Sequence, residues 1–317
     1  MPRVIGLRSP HAKVGRIVVF GRMLDKIRLH ARGALPPEYI GNMGETKPHL
    51  LDARCCRFLG ADYARLRARA LQGGCDEEIL SWAHANGAAR GDEECLIWNR
   101  YVTKAGWRDD RSDGLRERAA EYGLSAMRPE TNCELIDLDE GRPAGATRSW
   151  EPHPLSVVIV MGVAGCGKTT VGLGLAEALG WEFLDSDALH PASNIAKMAA
   201  GTPLDDSDRA PWLAGIRAEI ESRVARGAKT VVACSALREA YRVALTPDPA
   251  NRRYVHLRGD FALIRGRISG RSGHFMKEAL LRSQCDALEE PLDALALEVA
   301  QAPRVLIDRI RSVFGLP

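Results

Sequence analysis

Residues Leu155–Thr170 read LSVVIVMGVAGCGKTT. The first seven, through Met161, form an apolar, β-branched run of the kind that makes a strand buried on both faces of a parallel sheet. The next eight, Gly162–Thr169, satisfy G-x-x-x-x-G-K-[ST], and the residues after them predict a helix over Thr170–Leu179. Such a loop must turn its backbone N–H groups inward around phosphate oxygens. Glycine supplies dihedrals and clearances that a Cβ forbids, and Gly162, Gly165 and Gly167 alternate here with Val163, Ala164 and Cys166. Lys168 is placed to reach the β and γ phosphates of ATP and Thr169 to offer its hydroxyl to Mg2+. Thr170 opens a helix whose positive end faces the anion.

Beyond this loop the chain alternates strand and helix. Strands are predicted at Glu182–Asp185, Thr230–Cys234, Tyr254–Leu257 and, weakly, Leu295–Val299. Helices are predicted near Arg209–Ala225, Leu237–Leu245, Phe261–Arg271, Lys277–Leu288 and Val305–Phe314. The pattern describes an α/β sandwich of kinase size. A GTPase predicts a guanine-reading N-K-x-D, which the sequence lacks. A motor or remodelling ATPase predicts an apolar strand ending in Asp, whereas TVVACS ends in Cys234 and Ser235.

Asp185-Ser186-Asp187 follows the second strand, with His190 three residues on. Carboxylates at i and i+2 of an extended segment point to the same side, so one can hold hydrated Mg2+ while the other orients an attacking hydroxyl. The alternative, an N-cap for the next helix, accounts for one Asp but not for both.

The segment 156–317 resembles the bacterial gluconate kinase family. The matching strings are GVAGCGKTT, FLDSDALHPASNIAKMAAGTPLDDSDRAPWL, VVACSALREAYRVAL, VHLRGDF and GRISGRSGHFMKEALLRSQCDALEEP, in the family's order and spacing. The resemblance implies a P-loop kinase of the nucleoside-monophosphate-kinase-like fold, with a central parallel sheet and a lid, that makes 6-phosphogluconate from D-gluconate and ATP. It makes Asp187 the acceptor of the gluconate hydroxyl proton, with Asp185 helping to place Mg2+ and His190 beside them. Arg209 and Arg271 become candidates for the acid's carboxylate or the phosphates, and His274 a further substrate-binding candidate. Arg267–Phe275 becomes the lid, whose arginines cover the triphosphate and exclude water. It also implies a homodimer through this domain.

Three departures from the family pattern stand out: Cys166 where serine is common, Ser186 where glycine is common, and Arg238 where lysine is common. None removes a charge the mechanism needs. Cys166 puts a thiol inside the phosphate loop, so its alkylation or oxidation is a route to blocking ATP binding. Ser186 creates the D-S-D also seen in shikimate kinases, which keeps another polyhydroxy acid open as substrate. A nucleotide-dependent regulator that phosphorylates nothing is the third reading.

Upstream, residues 141–154 carry prolines and glycines without apolar periodicity and read as a linker, leaving residues 1–140 as a separate domain. That 317 residues at 45% hydrophobic suffice for two cores agrees with this division. Residues 1–70 hold 14 Lys/Arg against 5 Asp/Glu, residues 71–150 hold 10 against 16, and the remainder is balanced at 20 against 20. The segments RMLDKIRLHARG, FLGADYARLRARAL and DEEILSWAHANG have helical spacing, which makes the domain small and mostly helical. It resembles an uncharacterised bacterial domain family that shares RMLDK, DEEILSW and a closing E-L-I-D-L-D, and this implies no activity.

The early arginine excess reads as a solvated face rather than a nucleic-acid site, with RNA or an acidic protein kept as a partner class. Trp82, Trp98 and Trp107 read as core. The eight cysteines show no CxxC pair and read as reduced thiols. The start lacks an apolar signal core and no run of about 20 apolar residues occurs, so a cytoplasmic protein without a membrane span is expected.

Overall fold

A computed structural model describes residues 4–142, 155–246, 250–269 and 278–317. The chain divides into two compact units, the first built mainly from Met1–Pro154 and the second from Leu155–Pro247 and Asn251–Pro317. No helix among the described residues is long and apolar enough to cross a membrane.

The first unit opens on a two-residue hairpin, β1 (Lys13–Val14) and β2 (Ile17–Val18), that the helical spacing did not signal. Among the described residues eight α-helices follow: α1 (Phe20–Ala31), α2 (Pro37–Ile40), α3 (Leu51–Leu59), α4 (Tyr63–Leu71), α5 (Asp76–Asn86), α6 (Asp92–Lys104), α7 (Ser112–Glu121) and α8 (Asn132–Asp139). Helix α1 is the centre of this unit. Every residue from Phe20 to Leu29 is buried, including Arg22, Asp25, Lys26 and Arg28.

A helix buried on all sides is ordinarily apolar all round, so each of these charges needs a partner. Asp25 accepts from Arg8 at 2.7 and 2.8 Å, Lys26 donates to Asp52 at 2.7 Å, and Arg28 donates to Asp76 at 2.6 Å. Arg22 pairs with Glu140, which also receives Arg142. The Asp76 carboxylate serves two guanidiniums, Arg28 on one oxygen and Arg8 on the other at 2.6 Å. Four ion pairs thus tie α1 to the amino-terminal segment, α3, α5 and the end of α8. Burial pushes the Glu140 carboxyl up, and the two arginines pull it back to below its usual range.

These contacts correct two expectations. Arg8, Arg22 and Arg28 are buried and paired, so part of the basic excess is core rather than solvated face. Arg142, read as the start of the linker, is also buried and bonds Asp137 and the Leu7 carbonyl within the first unit. Trp98 is buried and stacks on Phe58 at 4.8 Å, and Trp82 packs against the same core. Trp107 is instead exposed, with Lys104 and Arg108 over its ring.

The second unit runs β3 (Val157–Met161), α9 (Lys168–Leu179), β4 (Glu182–Asp185), α10 (Ala192–Ala199), α11 (Asp206–Ala225), β5 (Thr230–Ala233) and α12 (Glu239–Leu245). It continues with β6 (Arg252–Arg258), α13 (Phe261–Ser269), α14 (Glu278–Ala287), β7 (Ala294–Glu298) and α15 (Pro303–Phe314). All strand pairs are parallel, in the order β4-β5-β3-β6-β7. All five residues of β3 are buried, as its composition required for the central strand of a sheet covered on both faces.

Helix α11 begins three residues earlier than its apolar spacing indicated. The Asp205 side chain accepts from the Asp208 N–H at 2.9 Å, and Asp208 returns a bond to the Asp205 N–H at 3.0 Å, a capping box that fixes the start. Helix α10 was not anticipated. Successive strands are laid first to one side of β3 and then to the other, so its carboxyl end is a topological switch point, where open α/β sheets bind ligands.

Candidate active site

The phosphate loop leaves the carboxyl end of β3 and ends in α9. Gly162 has φ +137°, and a Cβ there would lie 2.7 Å from the Leu257 carbonyl oxygen and 2.9 Å from Cys166 Sγ. Only glycine fits. Gly167, at φ +104° and the N-cap of α9, has nothing within 4 Å of its would-be Cβ, so the loop is open on that side. Val163 and Cys166 are buried, whereas Ala164, Gly165, Gly167 and Lys168 are partly exposed and Thr169 and Thr170 exposed.

Lys168 Nζ rests on the loop itself, donating to the Val163 carbonyl at 3.1 Å. The Ala164 N–H donates to Gln284 Oε1 of α14 at 2.7 Å. Burial pushes the Cys166 thiol up, and the neighbouring Lys168 charge opposes that shift without reversing it. A buried thiol held mainly protonated is a poor nucleophile. We therefore expect iodoacetamide at neutral pH to label the partly exposed Cys285 first and Cys166 slower by at least about tenfold. Peptide mass spectrometry over a time course reads this, and labelling of Cys166 at the rate of a free thiol would contradict it.

The end of β4 faces the loop. Thr169 Oγ1 donates to Asp185 Oδ2 at 3.0 Å, which joins the two residues assigned to Mg2+. The other oxygen of Asp185 accepts the Asp187 N–H at 3.1 Å, so Asp185 also serves as a local cap. That frees the Asp187 side chain, which is exposed. Ser186 between them is fully buried, and its carbonyl accepts from Trp212 Nε1 at 2.8 Å, which anchors the turn to α11.

His190 stacks on Trp212 at 4.3 Å between ring centroids. Burial holds its imidazole below the usual value, with the Asp187 charge opposing and the Arg209 charge adding to that effect. His190 therefore lies within the electrostatic reach of both residues assigned to substrate. Buried Asn194 of α10 stands beside His190 and donates to the Asp208 carbonyl at 2.8 Å.

Arg209 projects from α11 onto Tyr241 of α12, with its guanidinium carbon 5.6 Å from the ring centroid. Arg238 lies 5.8 Å from the same centroid and grips Asp206 at 3.0 and 3.1 Å. Asp206 also accepts from the Tyr241 hydroxyl. The result is a two-arginine cluster held by one acid and one phenol. Sequence reading singled out Arg209 and noted Arg238, but missed Asp206, Tyr241, Trp212, Asn194 and Gln284. The doublet Asp205-Asp206 before DRAPWL was the one visible signal.

Arg267 donates to the Val299 carbonyl at 2.6 Å, and its charge is felt at Cys166. Arg271 and His274, with most of the stretch read as a lid, lie outside the described residues.

Comparison with known proteins gives two domain matches. Residues 5–142 match a family described as a domain of unknown function (DUF5069), and residues 157–291 match one described as AAA domain. A gluconokinase of Gluconobacter oxydans (strain 621H) is 46% identical over 136 residues, 43% of this chain and 76% of that protein. A probable gluconokinase of Xenopus tropicalis is 41% identical over 172 residues, 49% of this chain and 90% of that protein. Among solved structures, a gluconokinase from Sinorhizobium meliloti 1021 is 39% identical with a TM-score of 0.47, covering 51% of this chain and 92% of that one. The phosphate loop, the paired aspartates and these identities have one reading: this chain belongs to the gluconokinase family.

Proposed function

We propose that the second unit transfers the γ-phosphoryl group of ATP to D-gluconate, giving ADP and 6-phosphogluconate. The observation that carries this reading is the exposed Asp187 side chain just past the end of β4, beside the Thr169–Asp185 pair, with His190 feeling the charges of both Asp187 and Arg209. Phosphoryl transfer asks the protein for positioning and charge stabilisation more than for covalent chemistry. Each of these residues fits one part of that task.

The glycine clearances and the open side at Gly167 suit a polyphosphate, with the amino-terminal end of α9 directed at it. Lys168 would leave the Val163 carbonyl to hold the β and γ oxygens. A hydroxyl and a carboxylate 3.0 Å apart are hard oxygen donors suited to Mg2+. When bound, that ion neutralises charge between the β and γ phosphates. The Asp187 carboxylate accepts the proton of the attacking hydroxyl as its oxygen bonds to the γ phosphorus and the bond to the ADP oxygen breaks.

Arg209, a planar donor fork backed by Tyr241, holds the carboxylate of the acid. His190, neutral by burial, offers hydrogen bonds to the sugar hydroxyls rather than a second positive charge.

The test is ADP release by the full chain with Mg-ATP against gluconate, other aldonic acids and shikimate. Gluconate is expected to give kcat/KM at least about tenfold above any other acid. Preference for another acid would overturn the substrate assignment. ATP binding without turnover on any acid would overturn catalysis.

A further inference from the structure

Two helices that the proposed chemistry does not use close on successive residues of the phosphate loop. On one side, a Cβ at Gly165 would lie 2.5 Å from Ile268 Cγ1 of α13, so that helix packs directly on the loop backbone. On the other, the Gln284 carboxamide of α14 accepts the Ala164 N–H at 2.7 Å. This is a short, half-buried bond across 120 residues of sequence.

Helix α14 is itself fixed at its far end. The Glu289 N–H donates to the Leu237 carbonyl at 2.9 Å, and the Glu289 carboxylate accepts the Glu239 N–H at 2.6 Å. Leu281 is buried, and Leu288 packs against the core under the sheet. Gln284 therefore reaches the loop from a rigid base.

We propose that Gln284 is a positioning residue for nucleotide binding. A glycine-rich loop loses more conformational entropy on ordering than any other segment of its length. It can bind phosphate tightly only if part of that ordering is already done before ATP arrives. The Gln284 acceptor fixes the Val163–Ala164 peptide while leaving the open face at Gly167 unobstructed. It thus preorganises the loop without touching the substrate that receives phosphate. Serine, alanine or an apolar residue of similar length at 284 supplies no acceptor at the same reach.

The inference rests on the kinase reading only for its turnover arm, so the first measurement is made without gluconate. Full-length wild type and Gln284→Met, a change of similar length that replaces the carboxamide oxygen by a weakly accepting thioether, are compared by calorimetric titration with Mg-ADP and by deuterium exchange of the peptide spanning 162–169. Gln284→Met is expected to weaken Mg-ADP binding by about tenfold, the scale of one half-buried hydrogen bond. Exchange in the loop should accelerate while the β5 peptide, 230–233, stays at the wild-type rate.

Gln284→Glu keeps an acceptor at that place and is expected to retain the slow exchange. In turnover, KM for ATP should rise in Gln284→Met with KM for gluconate within about twofold. Unchanged Mg-ADP affinity and loop exchange in Gln284→Met would overturn the inference whatever the acceptor acid proves to be. Faster exchange in β5 as well would assign Gln284 to general stability and overturn it equally.

Discussion

Asp187→Asn is expected to lower gluconate-dependent ADP formation by about 10^2 to 10^4-fold, the range for loss of a positioned general base. The substitution is isosteric and falls on an exposed side chain whose backbone N–H already caps onto Asp185. Stability should therefore change by less than about 0.5 kcal/mol. The Asp187 carboxylate, unlike its backbone N–H, makes no described hydrogen bond to the phosphate loop or to the Thr169–Asp185 pair, so Mg-ATP binding should stay within about twofold of wild type. The loss should appear in kcat, read from initial rates at saturating ATP and gluconate. If Asp187→Asn retained more than about a tenth of wild-type kcat, the proton acceptor would have to be sought elsewhere.

Asp76→Ala should have the largest effect on stability in the first unit, about 3–5 kcal/mol, because it removes the acceptor shared by two buried guanidiniums. A domain of this size should respond with a midpoint lower by on the order of 10 °C or more. Asp113 supplies the control: it pairs with Arg116 at the surface with its side chain 83% exposed, and Asp113→Ala should shift the midpoint negligibly. Calorimetry with and without Mg-ADP separates the units, since ligand binding raises only the transition of the unit that binds it. Equal, small shifts for Asp76→Ala and Asp113→Ala would mean that the α1 network contributes little net stability.

Local grammar made the second unit readable. The strand, loop and helix from Leu155 to Leu179 are contiguous, and each signals itself: β-branched residues for a doubly buried strand, glycines for the loop, and apolar spacing for the helix. Boundaries moved by one to three residues, at the start of α11 because the Asp205–Asp208 capping box fixes it. Neither the two-arginine cluster nor the Gln284 contact was readable, because the Tyr241–Asp206 bond spans 35 residues and the Gln284–Ala164 bond 120. No periodicity encodes such contacts.

The charges of α1 misled for the same reason. A count of Lys and Arg cannot separate a guanidinium in water from one paired across the core. Arg8 meets Asp25 and Asp76 at separations of 17 and 68 residues. The signal that was available lay in the pattern: RMLDK puts acids and bases among apolar residues with no polar face to carry them, which implies that they are buried in pairs.

The most direct test of the central claim is the identity of the product. The full chain is incubated with Mg-ATP and D-gluconate, and the mixture is resolved by phosphorus NMR and mass spectrometry. The account predicts ADP and 6-phosphogluconate in equal amounts, with the phosphate on the terminal hydroxyl and neither product formed by Asp187→Asn on the same timescale. ADP accumulating with inorganic phosphate and no phosphorylated acid would contradict it, as would the complete absence of ADP.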